Sequence, residues 1–358
     1  MSAAAIRSMN RTLLLATAPF LGLLAWLLVS NVELALSDSA YPAHKLSSPD
    51  WSAGTAAARD GLSAAESLAQ GTGQSIRKQV ELYNKTNADM NQIAEVASKQ
   101  ASRPYQIYDK RITSKLGKPA STMNSDKLTA QLFYLNTQNF KAYALKIKLK
   151  KDDAMMLALG KDEEGGSETT LEAVKRYKAA IGVNGGGFAD GGGKRYPLST
   201  TIVDGEYVGG FQPTIKDLFF VGMSEGNKLI GGKFSSKSQL DAHNPKFGAS
   251  FVPILLQNGR STEIPAKWQT SPKRAPRTVI ANYKDDQLLF LVVDGYNEKG
   301  SSGATLAELQ ILLKRFGAIN GYNLDGGGST SLVWNGRVVN NPSDGQLRKL
   351  PTNFLFFA

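Results

Sequence analysis

The sequence predicts an α+β fold, a mixed β-sheet core with flanking helices, preceded by a transmembrane helix and a helical stalk. Three observations carry that prediction. From Lys127 onward, short apolar runs recur between glycine-rich turns while helical spacing is rare, the pattern of a sheet-dominated domain. Near the start, residues 12–30 form an uncharged, leucine-rich run behind Arg7 and Arg11. Between the two lies a stretch rich in Ala, Ser, Gln and Asn, in which Ile76, Val80, Tyr83, Asn87, Met90, Ala94 and Ala97 alternate spacings of four and three, as on a helix with a narrow apolar seam.

Taken in order, residues 1–11 read as a cytoplasmic tail and 12–30 as a transmembrane signal anchor. The run approaches the roughly 20 residues that cross a bilayer, and its positive flank is expected to stay inside. Small residues at Ala35-Leu36-Ser37 offer the rival reading, cleavage near Ser37 and a secreted product. Either way the rest is expected outside the cell membrane. Residues 31–104 read as a partly helical stalk or linker that Pro104 ends, which leaves 105–358 as one globular domain. Within it, 142–149 alternates as a half-exposed strand with Lys146 and Lys148 facing outward, and 171–178 and 305–316 have helical spacing. The apolar run 354–357 is expected to tie the C-terminus into the sheet.

Composition removes several chemistries. The chain of 358 residues has no cysteine, which excludes disulfides, thiolate nucleophiles and cysteine-based zinc sites. In an exported chain that absence favours a bacterial source. Its two histidines are His44, in the linker, and His243, in a polar loop, so a Ser-His-Asp triad or multi-histidine metal site has almost nothing to draw on. Any catalysis must then rest on carboxylates, amides, hydroxyls and guanidinium groups. The net charge is +11, and nearly all of it falls beyond residue 104, which suits polyanions such as wall polymers or phosphodiester-linked glycans. The basic residues are not interleaved with aromatics, so nucleic acid is not expected.

The informative motifs are three strand ends with one grammar. The apolar run up to Leu324 delivers Asp325-Gly326-Gly327-Gly328-Ser329-Thr330, the run up to Val183 delivers Asn184-Gly185-Gly186-Gly187-Phe188, and the run up to Val293 delivers Asp294-Gly295. Glycine after a polar residue at a strand end lets backbone or ligand approach closely, and three such ends suggest one shared cleft.

Taken in chain order, the Asn184 block, Pro276-Arg277-Thr278, Val293-Asp294-Gly295, the Asp325 block and the late Arg348 and Asn353 resemble the phosphodiester glycosidases, the family of N-acetylglucosamine-1-phosphodiester alpha-N-acetylglucosaminidases. The resemblance runs from about Ser125 to the C-terminus. It departs at Gly187, where the family more often has an aromatic residue. It implies a hydrolase that cleaves the glycosidic bond of a sugar-1-phosphodiester in an extracytoplasmic glycan or wall polymer, releasing sugar and a phosphomonoester. Asp294 and Asp325 would be the catalytic carboxylates, and Arg277 and Arg348 would clamp phosphate with their guanidinium forks. Asn184 would bond sugar hydroxyl or phosphate, while Gly185, Gly186, Gly326, Gly327 and Gly328 would keep the cleft open and Ser329 and Thr330 would add contacts. No cofactor is expected. Two alternatives stand beside this: a phosphodiesterase cleaving P–O with Mg²⁺ or Ca²⁺ held by Asp294, Asp325 and Asn184, and a glycan-binding module without turnover.

Overall fold

The structure, a computed structural model, describes residues 17, 18, 20–23, 25, 26, 29, 51–296 and 301–358. Backbone contacts divide the chain into two units, residues 1–90 and 91–358. Where described beyond residue 50, the first unit is the front of one helix, α1 (Trp51–Leu116), whose remainder belongs to the second unit.

The expected membrane span is corrected. No helix among the described residues is long and apolar enough to cross a membrane. Most of residues 12–30, like residues 1–11 and the stretch around Ser37, lies outside the described residues. Pro104 does not end the stalk helix either: α1 runs through it to Leu116. A proline inside a helix costs about 3 kcal/mol, and the turns after it offset that by docking. Tyr108, Ile112 and Leu116 pack into the core formed with Phe133, Leu289 and Phe316, while Asp109 takes the Lys146 ammonium at 2.5 Å. Lys146, expected to face outward, is thereby only 3% exposed.

The second unit is built on an eight-stranded sheet in the order Ser121–Asn124, Leu128–Asn136, Lys141–Leu149, Leu288–Val293, Arg277–Asn282, Asn320–Leu324, Ile254–Gln257, Arg260–Ser261. Every pairing in it is antiparallel. Two five-stranded antiparallel sheets accompany it. One runs Arg337–Val338, Leu332–Trp334, Ile181–Asn184, Thr352–Phe356, Met155–Leu159, and the other Leu229–Gly232, Phe219–Ser224, Pro245–Phe251, Thr201–Val203, Glu206–Val208. Period-2 alternation sorts the large sheet's side chains onto two faces. Leu288, Phe290 and Val292 enter the core shared with the smaller sheets. Leu289, Leu291 and Val293 pack instead on the end of α1 and on the helix Leu306–Phe316. That helix and Thr170–Tyr177 each begin with a capping box, Thr305 with Glu308 and Thr169 with Glu172, which satisfies otherwise orphaned N–H groups. The C-terminal strand lies between two neighbours, Ile181–Asn184 and Met155–Leu159.

Candidate functional site

The strand Arg277–Asn282 positions two of the three polar strand ends. It is antiparallel to both Leu288–Val293 and Asn320–Leu324, with Arg277 opposite Val293 and Thr278 opposite Leu324. Asp294 and Asp325 therefore leave the sheet at the same edge, about 9–10 Å apart at the backbone because one strand lies between them. Asn184 ends a strand of a different sheet and reaches across. Its Oδ1 accepts from Thr278 Oγ1 at 2.7 Å and from the Ser331 N–H at 3.1 Å, and its Nδ2 donates to the Asp325 carbonyl at 2.8 Å.

The shared edge is thus real, but its members do different work from that expected. Asn184 is fully buried and its amide is committed to the protein, so it holds Asp325 rather than a sugar. Gly185, Gly186 and Gly187 do not line a cleft. The N–H groups of Gly185 and Gly187 donate to Thr352 O and Ser250 O, and that of Gly186 to Thr352 Oγ1. A Cβ at Gly185 would lie 2.3 Å from Thr352 Oγ1, and one at Gly186 would lie 2.6 Å from Ala249 Cβ. These glycines let the chain pass between two sheets.

Asp294 is 2% exposed. Its Oδ2 accepts from the Tyr143 hydroxyl at 3.1 Å and its Oδ1 from the Asn341 N–H at 2.9 Å. Burial pushes its carboxyl up from the ordinary value, and the Asn341 and Tyr143 donors oppose that. With both oxygens occupied, it anchors the start of the loop 340–349 and does not stand as a second carboxylate facing Asp325. Arg277 is 5% exposed and donates to the carbonyls of Pro272 at 2.9 Å and Ala304 at 3.4 Å. Burial lowers its pKa. It fastens its own loop connections, and the phosphate clamp expected of it is not what the geometry shows.

Asp325 is the exception. Its Oδ1 accepts from the Gly326 N–H at 3.0 Å, while its Oδ2 is shielded from solvent with no hydrogen-bond partner within bonding geometry among the described residues. Burial pushes its pKa up to about 6, against the pull of the Ser329 hydroxyl, the Gly326 N–H and the charges of Arg348 and Arg195. Beyond it opens a cleft of about 590 Å³ lined by Ser167, Thr169, Arg195, Asp344, Arg348 and Lys349, among others. Asp325 is not on the lining. Arg348 connects it to the cleft, donating from Nη1 to Ser329 Oγ at 3.4 Å and from Nη2 to Asp344 at 2.6 Å. Ser329 is 1% exposed, and the Thr330 hydroxyl is buried without a partner among the described residues.

The second glycine run shapes this wall. Gly327 has φ +58, the left-handed region, and its Cβ position faces open space. A Cβ at Gly328 would meet Asp344 Oδ2 at 2.0 Å and Arg348 Nη2 at 2.1 Å. One at Gly326 would meet the Pro276 carbonyl at 2.7 Å.

A family model described as phosphodiester glycosidase matches residues 177–357, half of the chain, and contains every one of these groups except Ser167, Thr169 and Tyr143. The chain belongs to the phosphodiester glycosidase family.

Relatives of this chain include the SPbeta prophage-derived uncharacterized protein YomE of Bacillus subtilis, 28% identical over 185 residues, which are 50% of this chain and 28% of that protein. The N-acetylglucosamine-1-phosphodiester alpha-N-acetylglucosaminidase of Bos taurus is 31% identical over 137 residues, 34% of this chain and 26% of the relative. This chain thus spans well under half the length of these relatives. Among solved structures, the zebrafish enzyme of the same name, a catalytic domain auto-inhibited by its pro-peptide, superposes with a TM-score of 0.52 at 23% identity, covering 67% of this chain and 87% of that one. At that identity the likeness is one of fold.

Sequence reasoning missed Arg195 and Asp344. Arg195 sits on the hairpin Phe188–Gly191 with Lys194–Pro197, turned by Gly192 and Gly193. It donates to Asp190 at 3.0 Å and to the Lys349 carbonyl, and its guanidinium lies 4.8 Å from the centre of the Phe188 ring. The Gly-Gly hairpin turn was legible, but its return to the 340–349 loop was not. Asp344 lies on that same loop, four residues before Arg348, a spacing that leaves the two side chains free to pair.

The donor set proposed for a divalent cation does not fit. Among the described residues no group of three or more His, Cys, Asp or Glu side chains could hold a metal ion. Both Asp294 oxygens and the Asn184 amide oxygen are already hydrogen-bonded, so Asp294, Asp325 and Asn184 do not present three free oxygens to one point.

Proposed function

We propose that this chain hydrolyses the glycosidic bond of a sugar-1-phosphodiester in a phosphodiester-linked glycan, releasing the reducing sugar and a phosphomonoester. The observation that carries this reading is Asp325: one shielded carboxylate oxygen without a hydrogen bond among the described residues, beside a cleft lined by the cations Arg348, Arg195 and Lys349. The names of the mammalian relatives suggest N-acetylglucosamine as the sugar.

The chemistry needs little acid assistance, because a phosphate ester is already a competent leaving group, and it builds positive charge at the anomeric carbon. With a pKa of about 6, Asp325 is mostly ionised at neutral pH. It then suits taking a proton from the attacking water. The water oxygen bonds to C1, the C1–O bond breaks, and its electron pair stays on the phosphate oxygen. Arg348 and Arg195 would stabilise that growing charge, with the Arg348 fork held by Asp344 and Ser329.

Hydrolysis of an N-acetylglucosamine-1-phosphodiester in ¹⁸O-water tests this. The label is expected in the sugar, with a phosphomonoester as the second product. Label in phosphate together with sugar-1-phosphate would show P–O cleavage instead, and saturable binding without product would show a glycan-binding module.

A further inference from the structure

We infer that α1 pairs with the same helix of a second copy of this chain, as a parallel, in-register, two-stranded coiled coil centred on Asn87. Among the described residues, positions 54–101 of α1 bury no side chain, and the large apolar side chains from 76 to 97 are exposed both on the seam, Ile76 54%, Val80 52%, Tyr83 66% and Met90 63%, and beside it, Leu82 65%, Ile93 67% and Val96 51%. An isolated helix draws little stability from propensity alone, and most helical stability comes from packing an apolar face. Here Gly54, Gly61, Gly71 and Gly73 weaken the helix further, each by roughly 1 kcal/mol relative to alanine.

The seam identifies its occupant. The spacing 76, 80, 83, 87, 90, 94 places Ile76, Tyr83 and Met90 at d positions and Val80, Asn87 and Ala94 at a positions of a heptad. Charge follows the same frame. Of the charged residues between 76 and 100, Arg77 alone flanks the seam, at e. Lys78, Glu81, Lys85, Asp89, Glu95 and Lys99 all fall on the outer b, c and f positions, where Glu95 and Lys99 pair with each other at 2.6 Å. A charge-free strip of this width fits a neighbouring helix better than a broad sheet, which calls for a wider apolar stripe.

Asn87 then selects among helices. Against an unrelated apolar surface its amide would be buried unpaired, at about 1–3 kcal/mol. Against its own copy in register, each Asn87 amide meets an identical amide that both donates and accepts, the arrangement by which a single a-position Asn fixes two strands in parallel.

The chain contains no cysteine, so a single introduced thiol reports pairing without background. Full-length Val80→Cys, oxidised at low micromolar concentration, is expected to run as a disulfide-linked dimer on a non-reducing gel. Lys85→Cys, on the outer face, is expected to stay monomeric. Sedimentation equilibrium of the unmodified chain is expected to give twice the chain mass, and Val80→Asp with Tyr83→Asp to give the monomer with activity per site unchanged on a short substrate. A monomeric unmodified chain, a trimer, or equal cross-linking at 80 and 85 would each overturn the inference.

Discussion

Asn184 holds Asp325 by its backbone: Nδ2 of the asparagine donates to the aspartate carbonyl at 2.8 Å, while its Oδ1 takes the Thr278 hydroxyl at 2.7 Å. One buried amide thus fastens the end of one sheet to the edge of another, at the residue on which the proposed chemistry turns. Asn184→Ala would leave the Thr278 hydroxyl, the Ser331 N–H and the Asp325 carbonyl unpaired in a buried site. At about 1–3 kcal/mol for each unsatisfied group that is not rescued by water, a loss of roughly 2–5 kcal/mol is expected in urea unfolding. Substrate contact alone would instead raise KM and leave the unfolding midpoint in place.

Asp325→Asn separates function from stability in opposite directions. The folded-state pKa of about 6 lies above the ordinary 3.8, so the ionised carboxylate burdens the folded state. That burden is full above about pH 6, fades as pH falls through the folded pKa, and is gone below about pH 4. The amide removes it. Thermal melts at pH 7.5 should therefore show Asp325→Asn more stable than the parent, by at most about 3 kcal/mol, with the gain vanishing near pH 4, while turnover falls by orders of magnitude. A destabilised Asp325→Asn at pH 7.5 would mean the carboxylate is needed for the turn.

The same pKa sets the acid limb of activity. A base that must be ionised loses rate as pH drops through about 6, so kcat/KM is expected to fall tenfold per pH unit below that point. Rate–pH profiles on a sugar-1-phosphodiester check this, and a flat profile down to pH 4.5 would remove Asp325 from proton transfer.

The fold was legible where one period dominated. Leu288–Val293 and the helix Leu306–Phe316 formed as their patterns required, because each buries an apolar face set by neighbouring residues alone. Lys146 and Pro104 were misread for a common reason: the end of α1 docks over the strand Lys141–Leu149, covering a lysine that alternation alone places in water. At the site, the sequence shows that three strand ends share a grammar, yet Asn184 and Asp294 differ from Asp325 only in who occupies their oxygens. Those partners, Thr278, Ser331, Tyr143 and Asn341, come from as far as 151 residues away, a distance that no local pattern encodes.

Asp294→Asn tests the anchoring role directly. The amide oxygen can still accept from Asn341, and the Tyr143 hydroxyl can turn to accept from the new NH₂. Activity is expected to stay within about tenfold of the parent, whereas Asp294→Ala, which frees the loop, should lose more in kcat/KM on charged substrates and about 1–3 kcal/mol of stability. Loss of several orders of magnitude in Asp294→Asn would restore Asp294 as a catalytic carboxylate.

Arg348→Lys probes the cleft wall. Arg348 uses Nε and Nη2 on Asp344 and Nη1 on Ser329, so its plane is fixed with one edge beside the Asp325 turn. An ammonium keeps the charge but cannot hold Asp344 and Ser329 together while also meeting two phosphate oxygens. A drop of roughly ten- to a thousandfold in kcat/KM is expected on a sugar-1-phosphodiester, equivalent to about 1.4–4 kcal/mol of transition-state stabilisation. Gly328→Ala should imitate it, because its Cβ would displace the same ion pair. The displaced atoms are the ends of flexible side chains, so its stability should change little. A matched substrate with an uncharged leaving group should be far less sensitive to either change. Equal sensitivity on both substrates would return Arg348 to a purely structural ion pair with Asp344.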